Sequence, residues 1–522
     1  MAEVVARQPG TTAVIGEHET TYGELARGIT TVAARLAAAG VERGEVVALA
    51  SGRSERAPAL ALGIMRAGAV YLPLDPLYPA PLLAHMIESA SVRTLLVDEA
   101  AGGRSPALVH PVHAGDRLEQ RTRDRPEQGA GDRLVLDALD VLKRPPAGEG
   151  GPLPEPVPCG PAYVMFTSGS TGLPKGVLLG HAGLAEYAHA LPAGLGLSGA
   201  DRCLGIAPLG FSSSIRELLL PLARGATVVV PGEDRIRLPW GVPDLVRAHR
   251  VTHLDLTPSY WRAVTDAMPA GELAPALSSV RGLLFASEPL DARLAHRTRR
   301  LLPRATVWNM YGCTETTGIV AAHRVDGREP ADSLVPVGTS LDHASISLRP
   351  AAGDAPGSPA GEIVVTGRGI ALGHVDGTDL AGGVRQDSGC AVRRWETGDR
   401  ATFREDVLVW SGRDDRMRKI RGMRVVPETV EQHLLAHPGI SNAAVVGATE
   451  RGVACVVARA PGVARLDPHR LIAWLRERLP GHLVPATITV IGDWPVLPNG
   501  KTDHQHLIAR YGLHTPGAAV PQ

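Results

Sequence analysis

The feature that most constrains this chain is a repeated switch between short apolar runs and helix-period segments. Runs at Val46–Ala50, Val70–Leu74 and Leu95–Val97 alternate with stretches whose apolar residues recur every three or four positions. The pattern resumes with strand-like runs at Ala162–Phe166, Thr227–Val230, Val251–Asp255, Gly282–Phe285 and Thr306–Trp308. Strands separated by helices force crossover connections, and those build α/β folds with largely parallel sheets. Thr20–Thr21 supplies a helix start before Leu25, Ile29, Val32, Ala33 and Leu36, and Gly40 supplies the stop.

The rhythm changes in three places. Residues 99–160 are rich in Gly, Pro and charged residues, with one apolar stretch at Leu134–Leu142, and read as surface loop or a poorly ordered insert. From Ile346 to Trp410 the pattern is strand-rich. A final unit from near Arg416 carries helix, strand, strand and helix signals, which is a small α+β domain. At 522 residues the chain exceeds what one core supports, so several domains are expected.

Composition excludes several classes. Apolar residues at 44% argue against global disorder. Lys+Arg and Asp+Glu both number 54, so the basic excess of a nucleic-acid binder is missing. No run of about 20 apolar residues exists, and the start lacks a leader-like apolar segment, which together predict a cytoplasmic protein with no membrane or nucleic-acid partner. The five cysteines are scattered without a CxxC pair, which argues against a disulfide framework or a zinc site. Four lysines stand among 50 arginines: Lys143, Lys175, Lys419 and Lys501. Base composition alone could leave four survivors. A place that needs a compact point charge could also retain them.

The run Ala162–Phe166 leads into Thr167-Ser-Gly-Ser-Thr-Gly-Leu-Pro-Lys-Gly176. Hydroxyls and glycines let backbone N–H groups approach an anion closely, and Lys175 adds a cation, so the loop suits a polyphosphate. It lacks the Walker A spacing, and no GxGxxG follows a strand.

The stretch Tyr163–Lys175 resembles the signature loop of the adenylate-forming superfamily, which includes nonribosomal-peptide adenylation domains, acyl- and aryl-CoA ligases and luciferases. Further segments resemble its motifs in order: Thr21–Leu25, Ala67–Pro79, Asn309–Glu315, Trp395–Asp399, Gly412–Asp415, Lys419–Gly422 and Pro498–Lys501. Three of the four lysines fall inside these motifs. The resemblance covers nearly the whole chain and is nearest to a stand-alone peptide-synthetase adenylation domain or an acyl-CoA ligase. It implies an N-terminal adenylation core over 1–411 with layered sheets, a hinge at 412–415 around Asp415, a mobile lid over 416–510 and a tail over 511–522.

The resemblance further implies an ATP- and Mg²⁺-dependent ligase of natural-product biosynthesis that adenylates a carboxylic acid and releases pyrophosphate. Lys501, Thr314 and Glu315 are its expected catalytic residues, with Glu315 also the magnesium ligand. Thr167, Ser168, Gly169, Ser170, Thr171, Gly172 and Lys175 are expected at the phosphates. Asn309, Tyr311 and Gly312 are expected at adenine, and Asp399 and Arg413 at the ribose. Alone, Asp399 reads as a turn residue and Lys501 as a solvated loop lysine; the ordered motifs favour function.

Two departures bear on substrate. In Phe211-Ser-Ser-Ser-Ile-Arg-Glu217, Ser212 stands where amino-acid-activating members place the Asp that pairs with the α-ammonium. A buried ammonium without that partner loses several kcal/mol, on the order of the penalties for unpaired buried ions. Phe285-Ala-Ser-Glu-Pro-Leu290 replaces two glycines, which suggests a narrower cavity. Phe211, Ser212, Ser213, Arg216, Leu284, Ala286, Met310, Gly318 and Ile319 are the candidate lining. Arg216 faces either a second acidic or strongly polar group on the substrate or an unidentified structural carboxylate. Glu217, next to it on a helix, should point elsewhere. The acceptor stays open among carrier-protein phosphopantetheine, coenzyme A and an amine. Activation of an unusual oxyacid such as nitrite is an alternative, and a non-catalytic nucleotide-binding regulator is a weaker one.

Overall fold

The computed structural model describes residues 2–98, 134–143, 157–167, 174–236, 240–330, 333–350, 359–375, 390–413, 418–420, 423–425, 427–449, 452–459, 463, 465–495 and 504–512. The fold is mixed α/β. The chain divides into two compact units: 1–76, 86–166 and 176–412 form the first, and 77–85, 167–175 and 413–522 the second.

Among the described residues the first unit is built around three sheets. One has nine strands in the order Thr339–Ser340, Gly318–Arg324, Thr306–Cys313, Gly282–Phe285, His253–Leu256, Arg202–Leu204, Thr227–Val229, Thr12–Ile15 and Glu19–Thr21. Its centre, from Thr306–Cys313 to Thr12–Ile15, pairs in parallel throughout. A second sheet of seven strands centres on Pro161–Thr167, Val70–Leu74, Val46–Ala50 and Thr94–Val97, again parallel. The strand-rich segment forms a third, four-stranded sheet from Ser345–Arg349, Ala360–Gly367, Arg393–Arg404 and Val407–Arg413.

Parallel strands covered on both faces read as continuous apolar runs, and Val46–Ala50 and Gly282–Phe285 are indeed buried along nearly their whole length. The helix Tyr22–Ala38 begins at the expected residue. The Thr21 hydroxyl accepts from the Glu24 N–H and the Glu24 carboxylate accepts from the Thr21 N–H, a reciprocal cap worth about 1 kcal/mol.

Two expectations give way. Leu134–Leu142 is not loop: Leu134–Asp137 is an edge strand paired in parallel with Thr94–Val97, and Ala138–Lys143 is a short helix burying Ala138 and Val141. The flanking polar residues disguised it, and residues 99–133 and 144–156 lie outside the described residues. The reading against disulfides also fails, because Cys159 and Cys390 are bonded across 231 residues with Cα atoms 4.8 Å apart. Local spacing reveals clustered frameworks, whereas a bridge of this span depends on the tertiary fold. Cys203, Cys313 and Cys455 are free.

The second unit holds a three-stranded sheet of Ile440–Thr449, Gly452–Arg459 and Thr487–Ile491, with the helices Pro427–Leu435, Pro468–Arg476 and His504–Tyr511. Its core joins Val430, Leu434, Val457, Leu471 and Leu475. Among the described residues no helix is long and apolar enough to cross a membrane.

Candidate active site

The hairpin Thr306–Cys313 and Gly318–Arg324 carries most of the candidate residues of the first unit. It is held tight at Gly312, where any Cβ would collide with the Gly318 carbonyl. Asn309 donates its amide hydrogens to the carbonyls of Val335 at 3.0 Å and Pro336 at 2.9 Å. That fixes the amide orientation and leaves its oxygen as an acceptor. Tyr311 donates its hydroxyl to Asp399 Oδ2 at 2.8 Å, and the Trp410 indole donates to Asp399 Oδ1 at 3.1 Å. The Asp399 N–H donates to Thr397 Oγ1. Asp399 is 3% exposed. Both of its oxygens are engaged, which fixes the carboxylate's orientation. Burial, then the Asp399 charge, pushes the Tyr311 phenol well above its ordinary range, so it remains a donor.

The turn after the hairpin strand is a single 3-10 segment, Thr314–Thr316, tied by the Thr316 hydroxyl to the Cys313 and Gly318 carbonyls. Glu315 on this turn is buried, with its carbonyl accepting from the Ala371 N–H. Among the described residues no group of three or more His, Cys, Asp or Glu side chains could hold a metal. A single buried carboxylate offers oxygen donors only. That fits Mg²⁺, which takes one or two carboxylates and completes its shell with phosphate oxygens and water.

Thr314 donates its hydroxyl to the Ser212 hydroxyl at 3.3 Å. Ser212 opens the helix Ser212–Leu218, and Arg216 lies one turn on along the same face. Arg216 is 9% exposed and meets the Asp255 carboxylate with both Nε and Nη2, the latter at 2.9 Å. Burial opposes the guanidinium charge, but Asp255 outweighs it and raises the Arg216 pKa. The structure therefore supplies the carboxylate that the sequence left unidentified. Glu217 points away as expected and accepts the N–H groups of Ile206 at 2.7 Å and Ala207 at 2.8 Å. Its carboxyl is pushed up to about 8, first by burial and then by Asp255.

Leu284, Ala286, Met310, Gly318 and Ile319 are all buried, while Phe211 and Ser213 are half-buried. Ser287 adopts φ 72°, the left-handed region that glycine tolerates best, in the segment where the sequence departs from Gly-Gly. Two residues beside Arg216 escaped the sequence reading. Asp255 sits in register with Leu284, which in turn pairs with Trp308, so a row across three parallel strands would have pointed to it. Tyr187, from the helix His181–Gly194, would collide through its hydroxyl with a Cβ at Gly318 and accepts from the Ile319 N–H at 3.1 Å; burial raises its phenol pKa, and the nearby Arg216 charge offsets part of that rise.

In the second unit Thr167 ends its strand and Lys175 begins the strand Lys175–Gly180; both are half-buried. Ser168, Gly169, Ser170, Thr171, Gly172, Asp415 and Lys501 lie outside the described residues, as does the Arg413 side chain.

Residues 1–375 match the model of the AMP-binding enzyme family, and residues 429–501 match that of the AMP-binding enzyme C-terminal domain. The chain is 33% identical to novobiocin biosynthesis protein H of Streptomyces niveus over 99% of its own length and 82% of that protein. It is 32% identical to the phosphinothricin tripeptide synthetase PhsC of Streptomyces viridochromogenes over 96% of its length. It spans only 26%, 34% and 44% of the first three curated relatives it matches. Among solved structures, the amide bond synthetase McbA of Marinactinospora thermotolerans is 26% identical with a TM-score of 0.79, covering 98% of this chain and 99% of that one. With both family models matched in order and a relative covered over most of its length, the chain belongs to the AMP-binding enzymes, the family of adenylate-forming ligases.

Proposed function

We propose that this chain catalyses ATP-dependent adenylation of a carboxylic acid that carries no α-ammonium group. An oxygen of the acid attacks the α-phosphorus of ATP, the bond to the bridging oxygen of pyrophosphate breaks, and an acyl adenylate forms. A thiol or amine then attacks the acyl carbon and AMP leaves. The observation that carries the reading is the 3.3 Å contact between Thr314 and Ser212. It joins an expected catalytic residue to the residue expected beside the acid.

Tyr311, Asp399 and Trp410 form a hydrogen-bonded platform for adenine and ribose, with Asp399 the acceptor expected at the sugar hydroxyls. Magnesium held by Glu315 and phosphate oxygens would neutralise charge on the phosphates. Lys501 would neutralise charge at the reacting centre as a point charge. Catalysis of this kind is positioning and electrostatic stabilisation. Ser212 favours an acid without an α-ammonium, because its hydroxyl cannot neutralise a buried cation.

The acceptor is a thiol of a carrier protein or of coenzyme A, in keeping with the peptide-synthetase relatives. An amine acceptor is the second reading, favoured by likeness to an amide bond synthetase. ATP–pyrophosphate exchange tests the first half-reaction over amino, aryl, aliphatic and dicarboxylic acids, with nitrite included. Exchange with at least one carboxylic acid is expected, and Lys501→Ala should lower it by about 100-fold or more. Background exchange with every carboxylic acid refutes the reading.

A further inference from the structure

On the adenylation reading, the helix Ser212–Leu218 lies along the acid. Ser212 meets Thr314, and Arg216 lies four residues further on, about 6 Å along the axis at ~1.5 Å per residue. A substrate whose carboxylate lies near Thr314 therefore directs its far end toward Arg216. Arg216 is not a lone cation there. Asp255 holds it through two of its nitrogens, while the Tyr187 hydroxyl accepts from the Ile319 N–H. Asp255 shares its row with Leu284, a lining candidate. Glu217 adds no charge at neutral pH, since burial keeps its carboxyl protonated until about 8.

We propose that the Arg216–Asp255 pair selects the far end of the acid, and that it favours an acid whose far end carries an uncharged hydrogen-bonding group such as a hydroxyl, an aromatic amine or an amide. The inference rests on the adenylation reading above and names its substrate class. The pair has a guanidinium donor and a carboxylate acceptor, with the two charges cancelled between them. A distal carboxylate would compete with Asp255 for Arg216 and leave one anion buried without a partner. A distal ammonium would do the same to Arg216. An uncharged donor or acceptor can bond to the pair without breaking it, whereas a plain hydrocarbon end leaves polar groups unsatisfied.

The test is ATP–pyrophosphate exchange over matched aryl and aliphatic acids whose far ends are methyl, hydroxyl, carboxylate or primary ammonium. Wild-type kcat/KM should favour the hydroxyl member over both ionised members by at least about tenfold, which corresponds to about 1.4 kcal/mol. Asp255→Asn should move the ratio toward the distal carboxylate, and Arg216→Met toward the distal ammonium, each by about tenfold or more. Should a single change unfold the protein, Arg216→Leu with Asp255→Leu replaces the pair by packed apolar groups, an exchange that buried ion pairs tolerate. That double variant should reverse the preference between hydroxyl and methyl. Melting temperatures report any purely structural effect, which would lower all rates together and leave the ratios alone. Ratios within about twofold of wild type in every folded variant overturn the inference, as does a wild-type preference for a charged far end. A wild type inert toward every acid overturns the adenylation reading and this one with it.

Discussion

Glu217 offers a quantitative test of how the buried polar cluster is built. Its carboxyl sits fully enclosed, accepting two backbone N–H groups from Ile206 and Ala207, with Asp255 nearby. Its ordinary value is 4.5, and burial followed by the Asp255 charge pushes it to about 8. The native state therefore holds a proton that the unfolded chain has already released. Stability must fall as pH rises between these two values and level off above the upper one. At about 1.4 kcal/mol per pH step the full loss is about 5 kcal/mol, a large share of the ~5–15 kcal/mol typical of a domain. Glu217→Gln keeps an oxygen to accept both N–H groups and removes the titration. Urea unfolding followed by tryptophan fluorescence at pH 5, 6, 7 and 8 should show the variant gaining steadily on wild type. The gain should stop above about pH 8. A stability difference that stays constant from pH 5 to 8 would show that Glu217 is ionised in the native state and refute the argument.

Three further tests follow from other contacts. Tyr311→Phe removes the 2.8 Å hydrogen bond to Asp399; a bond to a charged group is worth about 1.5–3 kcal/mol, so kcat/KM for ATP in the exchange assay should drop about 10- to 100-fold with substrate preference unchanged. Ser287→Gly should raise the unfolding free energy by about 1 kcal/mol, since glycine accepts φ 72° without the steric penalty of a side chain; an unchanged or lower value contradicts the assignment of strain. Breaking the Cys159–Cys390 bond, by reductant or by Cys159→Ser, should lower stability by about 5 kcal/mol on the chain-entropy account for a loop of 231 residues. Thiol titration of the denatured, unreduced protein should find three free thiols; five would show the bond absent.

The alternating runs made the parallel sheets legible because buried parallel strands carry little polarity to disguise them. Thr21 was legible as a helix start because a capping box needs only residues three apart. Candidate site residues could be named where they fall in contiguous motifs, as in Asn309–Glu315, but each residue's partner could not. Asp255 lies 39 residues from Arg216, and only strand register brings it in. Tyr187 reads as one more apolar helix position until Gly318 opens a space for its hydroxyl. Leu134–Lys143 was hidden because an edge strand of four residues leaves a weak pattern, overwhelmed by its polar flanks. The Cys159–Cys390 bond had no local signature at all.

The tight hairpin at Gly312 and Gly318 has a consequence for how such an enzyme diversifies. Residues expected at the nucleotide and residues expected to line the acid pocket share that one ribbon, so altering Met310 or Ile319 also disturbs Tyr311 and Thr314. Arg216 and Asp255 meet from two other elements, the helix Ser212–Leu218 and the strand His253–Leu256. On the proposed reading, retailoring by evolution or by design can proceed through that pair while the hairpin expected at the nucleotide is left alone, and randomised libraries are best concentrated there.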